Sequence, residues 1–192
     1  VVGLFRDITD TTGKPMHIPA YSNPKRILAI DPGPRASGYV VYHEEGMDVK
    51  EYSHEIKNEE LIADMSRHRQ SLDLLVIEMV GYYGMAVGRD IFETVRWIGI
   101  FQHAFGMENT ILHFRKDVKL SLCNNYNAST SNLRTAILGR FPPTGGGATP
   151  AIGIKKQPGR LYGIKSHSMS AISLAITWRD NFIPEYPWTR TK

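Results

Sequence analysis

Two acids stand where chemistry could be done. Asp31 closes the apolar run Arg26-Ile-Leu-Ala-Ile-Asp31, and Glu78 closes Leu72-Asp-Leu-Leu-Val-Ile-Glu78. Runs of this length and composition read as buried strands. If the first and fourth strands of one sheet are neighbours, the two carboxylates face each other at one edge of the core. Carboxylates so placed repel unless a cation lies between them. Magnesium, which prefers oxygen ligands and retains waters, is the natural counter-ion, and Mn2+ is expected to substitute for Mg2+. A pair of such ions activates water and stabilises the leaving oxygen in phosphodiester hydrolysis. The plainer alternative, that each acid caps a strand at the surface, stays open on these residues alone.

The elements that must position the acids can be read along the chain. After Asp31, Pro32-Gly33-Pro34-Arg35 makes a turn, because two prolines cannot continue a ladder. Ser37 to His43 and Asp48 to Ile56 are the next two strands, and short joints make the three an antiparallel meander. Asn58 to Gln70 reads as a helix, with Leu61, Ile62 and Met65 at helical spacing. Beyond Glu78, Gly81, Gly84 and Gly88 mark a loose connection, and Asp90 is placed to cap a helix from Ile91 to Phe105. That helix carries Ile91, Val95, Ile98 and Phe105 on one stripe and Phe92, Trp97 and Phe101 elsewhere, so two of its surfaces need cover, by a partner or by deep burial. Thr110 to Phe114 is a fifth strand. Lys116 to Cys123, Ser131 to Arg140 and Lys165 to Arg179 are helical, and residues 141–163 form a long basic loop. The Gly-Gly-Gly within it is no phosphate loop, because no GK[ST] follows.

Composition bounds the partners. The 192 residues fit one domain, and 42% hydrophobic with 22% charged residues is ordinary for a globular protein. The net charge of +4 hides an asymmetry: residues 1–110 hold 11 Lys+Arg against 16 Asp+Glu, and residues 111–192 hold 12 against 3. A basic C-terminal portion is what a phosphate-binding surface requires, although a solvated basic surface has the same composition. The opening VVGLFRDITDTTGK does not read as a signal peptide, and no apolar run approaches a membrane span. The single cysteine, Cys123, suits a reducing cytoplasm and reads as a packing residue.

The motifs also carry a resemblance. Ile27 to Tyr42 (ILAIDPGPRASGYVVY) resembles the opening motif of the RuvC-type Holliday junction resolvases of bacteria and phages, an acid-Pro-Gly turn followed by Ser/Thr-Gly. LLVIEMV resembles the second motif, with Glu78 as its acid. Phe114 to Leu122 (FRKDVKLSL) resembles the family's Val-Lys helix, and Lys165 to Thr177 (KSHSMSAISLAIT) its closing helix. The Leu161-Tyr-Gly-Ile-Lys-Ser-His segment is similar to phage members. The resemblance implies an RNase H-like α/β fold, a mixed five-stranded sheet with helices on both faces. It extends over most of residues 26–179, within a single nuclease domain expected over 25–183; polar residues 1–24 read as an N-terminal arm and 184–192 as a C-terminal tail. It implies a homodimeric endonuclease of the bacterial or phage-infected cytoplasm that nicks four-way DNA junctions symmetrically.

Carried over position by position, the resemblance makes Asp31, Glu78 and His167 metal ligands and sets Lys119 beside the scissile phosphate. His167 could also shuttle protons to the attacking water. Ser170 departs from the pattern: many relatives carry an acid there, and a neutral hydroxyl is a far weaker magnesium ligand, so Ser170 is at most a marginal one. Asp117 is a candidate substitute acid if its helix is turned inward. Tyr82 and Tyr83 fall where the family places an aromatic wedge, and stacking on an unpaired base is worth about 1–3 kcal/mol. Arg115, Lys116, Lys155, Lys156, Arg160 and Lys165 are candidates for phosphate contacts. Rival readings are another RNase H-fold nuclease acting on flaps, forks or hybrids, and a junction-binding module with weakened catalysis, for which Ser170 is the argument. A sugar-kinase-like phosphate fold would need a second domain that 192 residues hardly accommodate.

Overall fold

The computed structural model describes residues 25–43, 48–81, 84 and 86–182. The proposed arm, the last residues of the chain, and Tyr82 and Tyr83 lie outside the described residues. Strand β1 (Arg26–Asp31) is followed by β2 (Ala36–His43), β3 (Asp48–Lys57), helix α1 (Asn58–His68) and β4 (Leu74–Met79). Then come α2 (Arg89–Phe105), β5 (Thr110–Phe114), α3 (Arg115–Cys123), α4 (Thr130–Leu138), the short strands β6 (Gly153–Ile154) and β7 (Gln157–Pro158), and α5 (Ser166–Phe182).

The five long strands form one sheet in the order β3-β2-β1-β4-β5. β1 pairs antiparallel with β2, and β2 with β3, as a meander requires. β1 pairs parallel with β4, and β4 with β5, across the helical crossovers. Side chains alternate across the pleat, so β1 and β4 feed two cores. Ile27, Ala29, Leu74 and Val76 pack beneath α3, α4 and α5. Leu28, Ile30, Leu75 and Ile77 pack against α1 and α2. Burial on both faces explains why these strands read as continuous apolar runs.

Helix α5 is the spine of the first core. Every residue from Ala171 to Arg179 is buried, and Ala171, Ser173 and Ala175 let the helix lie close on the sheet. The one charge in that stretch, Arg179, donates to the Tyr42 hydroxyl at 3.0 Å and to Asp180 at 2.7 Å, and Arg140 shares the same carboxylate at 2.6 Å. Among the described residues no helix is long and apolar enough to cross a membrane.

Two expectations are corrected. Asp90 does not cap α2: Gly88 is the N-cap residue, and Asp90 lies in the first turn. The buried stripe of α2 is Thr94, Ile98, Phe101 and Phe105, whereas Ile91, Phe92 and Val95 are exposed. The periodicity is ambiguous because two faces are apolar, and the sheet selects only one of them. Residues 141–163 are the expected loop, but it is tied together and carries the two short strands β6 and β7. Gly145 donates to the Pro150 carbonyl, Gly146 to Gln157, Gly159 to Ile152 and Leu161 to Ala151, at 2.8–2.9 Å. A Cβ on Gly153 would lie 2.2 Å from the Gly159 nitrogen, so glycine here permits backbones to touch rather than to wander.

Candidate active site

The parallel pairing of β1 and β4 sets Ile30 opposite Ile77, which carries Asp31 and Glu78 to the same edge of the sheet. Asp31 is held by the turn that follows it. Buried Asn58, first residue of α1, donates to the Gly33 carbonyl at 3.0 Å and accepts from Ser37 Oγ at 2.7 Å. Gly33 N in turn donates to Ser37 Oγ at 3.3 Å, closing the turn on itself. A side chain at Gly33 would meet the Ala36 carbonyl oxygen at 2.3 Å, so the turn needs glycine.

The first turn of α5 brings His167 to Asp31. Ser168 is fully buried and donates to the Lys165 carbonyl at 2.7 Å, and its oxygen lies 2.8 Å from His54 Nδ1 on β3. This anchor lays the helix start directly on β2, where a Cβ on Gly38 would be 2.4 Å from the Cβ of His167. His167 Nδ1 then lies 2.9 Å from Asp31 Oδ2, which accepts its N–H. The Asp31 side chain is 16% exposed and that of His167 63%, so the imidazole faces solvent from a buried acid.

Glu78 has a different partner. Arg115, the first residue of α3, donates from Nη1 to Glu78 Oε2 at 3.0 Å, with side chains 25% and 19% exposed. Burial pushes the Glu78 carboxyl above the usual carboxylate range, Arg115 pulls it back, Asp31 raises it, and Lys119 one turn along α3 lowers it. Asp31 and Lys119 both act on Glu78 and so lie near it. The Asp117 carboxylate accepts the backbone N–H of Phe114, the N-cap residue of α3.

Solved structures share this frame. The structure of Thermus thermophilus RuvC matches with a TM-score of 0.54 over 79% of this chain and 92% of that one, at 16% identity. The chain has the RuvC fold. T. thermophilus RuvC in complex with a Holliday junction substrate matches with a TM-score of 0.55, over 80% of this chain and 92% of that one, at 17% identity. Neither a family model nor a curated protein matches the sequence itself. The mixed sheet with helices on both faces expected from the motifs is thus the sheet of this chain, which matches the RuvC fold.

On this fold the expected site residues divide. Asp31, Glu78, Lys119 and His167 gather at one sheet edge, but they do not close into a coordination set: among the described residues no group of three or more His, Cys, Asp or Glu is placed to hold a metal. A hydrogen bond between His167 and Asp31 and an ion pair between Arg115 and Glu78 stand there instead. Ser170 faces a hollow of about 140 Å³ between α3, α4 and α5, whose rim also includes Arg115, Thr130, Arg134 and Ser166. Of the phosphate candidates, Lys116, Lys155, Lys156 and Lys165 are exposed, the middle two at the turn between β6 and β7. Arg160 instead pairs with Asp48 at 3.3 Å, at the start of β3 and so at the sheet end away from Asp31. Cys123 is half-buried against the first core, with its thiol pushed up by burial, as a packing residue would be.

Sequence reasoning missed the positioning residues Asn58 and Gly38 and the basic residue Arg134. Asn58 had a detectable signal, a polar residue at a strand–helix junction, whereas the closeness of Gly38 to α5 depends on tertiary packing.

Proposed function

We propose that the chain is a metal-dependent endonuclease that resolves four-way DNA junctions. The observation that carries this reading is the meeting of Asp31 and Glu78 on adjacent parallel strands, with His167 from α5 and Lys119 from α3 beside them. It is supported by the fold, one of whose solved examples is a RuvC bound to a Holliday junction substrate.

The donor set fits a hard divalent cation. Asp31 and Glu78 supply carboxylate oxygens at an edge where burial and mutual repulsion disfavour the charged form of Glu78, and a cationic group already sits on it. Asp31, Glu78 and His167 would hold Mg2+ or Mn2+, while Ser170 would add at most a weak oxygen. The chemistry such a cation supplies is acidification of a water and neutralisation of charge on the phosphate. The rest falls to the chain. Asp31 accepts from His167 Nδ1, which fixes the imidazole and leaves Nε2 as the one ring atom for either role, ligand to the cation or acceptor of a proton from the attacking water. Lys119 neutralises the charge that develops on the scissile phosphate. Lys116, Lys155, Lys156 and Lys165 track the backbone of the DNA arms, contacts that position without reading bases.

Two symmetric nicks need two sites, and the exposed apolar face of α2 supports a homodimer. Phe92 is 66% exposed, with Ile91 and Val95 beside it. A junction-binding module with weakened catalysis is favoured by two observations, the serine at 170 and the seating of Glu78 on Arg115. Cleavage of labelled four-way junction, flap, fork and linear duplex in Mg2+, run beside Ser170→Asp, separates these readings. Junction cleavage above all other substrates supports the resolvase. Flap or fork cleavage at equal rate points to a broader nuclease, and tight junction binding without nicking, even in Mn2+, leaves the binding module.

A further inference from the structure

Arg115 poses a problem that the proposed function does not absorb. As a phosphate contact it should face DNA, yet its guanidinium lies on a carboxylate expected to bind metal, 3.0 Å from Glu78 Oε2. The pair is three-quarters shielded from water, so a cation approaching Glu78 competes with a charge already in place.

The surroundings of Arg115 offer it a second seat. The hollow between α3, α4 and α5 is rimmed by Arg115 itself, Thr130, Arg134, Ser166 and Ser170, and its lining contains no carboxylate. Two guanidiniums and three hydroxyls border one cleft, and although Arg115 now donates to Glu78, a DNA phosphate there would supply oxygens in the geometry that guanidiniums prefer. Ser170 decides which seat is taken without DNA. An acid at 170 would stand in the same hollow and draw the guanidinium away from β4. A serine cannot, and Glu78 is the anion to which Arg115 is bound.

We propose that Arg115 is an exchangeable counter-ion: it occupies Glu78 in the free protein and yields that carboxylate to a divalent cation when a DNA phosphate enters the hollow beside Arg134. The exchange makes metal loading at Glu78 follow substrate binding, so the free enzyme is held without a complete site. It also gives Ser170 a role, as the absence of a competing anion. This inference rests on the metal-dependent reading above.

The test reads metal binding rather than cleavage. Mn2+ is titrated into DNA-free protein at about pH 8, where ordinary carboxylates are ionised, and free Mn2+ is followed by its electron paramagnetic resonance signal. Wild type is compared with Arg115→Gln, Arg115→Lys, Ser170→Asp, Glu78→Gln and the double variant Arg115→Gln/Glu78→Gln. Arg115→Gln is expected to bind Mn2+ about tenfold more tightly than wild type, equivalent to about 1.4 kcal/mol. Arg115→Lys keeps the charge and stays near wild type, and Ser170→Asp shifts in the direction of Arg115→Gln. The double variant loses the gain, which assigns it to Glu78. An excess of four-way junction, mixed with protein before Mn2+ and read before turnover, tightens Mn2+ binding to wild type but much less to Arg115→Gln. Unchanged affinity in a folded Arg115→Gln, with binding still sensitive to Glu78→Gln, overturns the exchange and spares the metal site. Failure of every protein to bind Mn2+, with or without the junction, overturns both.

Discussion

Gly38→Ala is the sharpest perturbation of the site that leaves its chemistry untouched. The added methyl would lie 2.4 Å from the Cβ of His167, 2.8 Å from its carbonyl carbon and 3.1 Å from its Cα. Carbon atoms pack comfortably at about 3.5–4.0 Å, so the first turn of α5 must retreat by roughly 1 Å. It cannot retreat freely, because Ser168 is buried on Lys165 and His54, and the helix is buried from Ala171 to Arg179. The bond from His167 Nδ1 to Asp31, now 2.9 Å, is the contact that gives. A misplacement of about 1 Å in a positioned group costs on the order of 100-fold in rate, while overpacking of this kind costs about 1–3 kcal/mol of stability. The assay is single-turnover cleavage of a labelled junction at saturating protein, paired with urea unfolding. Gly139→Ala is the control, because its methyl would meet only carbonyl oxygens at 3.6 and 3.8 Å and its rate should be unchanged. A Gly38→Ala protein that cleaves within threefold of wild type would refute the claim that the β2–α5 contact sets His167.

Other expectations follow from the same geometry. Asn58→Ala removes a donor to Gly33 and an acceptor for Ser37 inside the fold, so urea unfolding should show a loss of about 2 kcal/mol; a loss below half that would mean the turn holds itself. Burial lowers His113 from 6.5 to about 4. Below the unfolded value the unfolded chain takes up the proton first, so stability is complete above about pH 6.5 and falls by on the order of 3 kcal/mol as pH drops towards 4. His113→Leu should flatten that slope in urea titrations at several pH values, and an unchanged slope would remove His113 as its source. Phe92→Lys puts a charge on the exposed apolar face of α2, and sedimentation should show a dimer becoming monomer; a wild type that sediments as monomer at micromolar concentration would deny that face its role.

Much of the fold was legible because burial on both sheet faces leaves a plain signal. The runs before Asp31 and Glu78 are strands for that reason, and the parallel pairing that joins the acids follows from a helical crossover between them. What escaped was set by choices among near-equal options. α2 has apolar residues on two faces, and only the sheet determines that Thr94, Ile98, Phe101 and Phe105 go inward. The glycines of residues 141–163 signal freedom in a sequence, yet here they serve close backbone packing and cross-linked hydrogen bonds. The electrostatic partners were least legible. Arg115 and Arg160 look alike as basic residues, but one falls on Glu78 and the other on Asp48 at the far end of the sheet. Such pairings join positions distant in the chain and leave no local pattern.

The central claim is that Asp31 and Glu78 form the heart of a junction-cutting site. A four-way junction labelled on each strand in turn, incubated in Mg2+ with wild type and with Asp31→Asn, tests it most directly. Paired nicks at symmetric positions that disappear in Asp31→Asn, while junction binding persists, are the predicted result. Nicking that survives Asp31→Asn, or a wild type that binds junctions and leaves every strand intact, would contradict it.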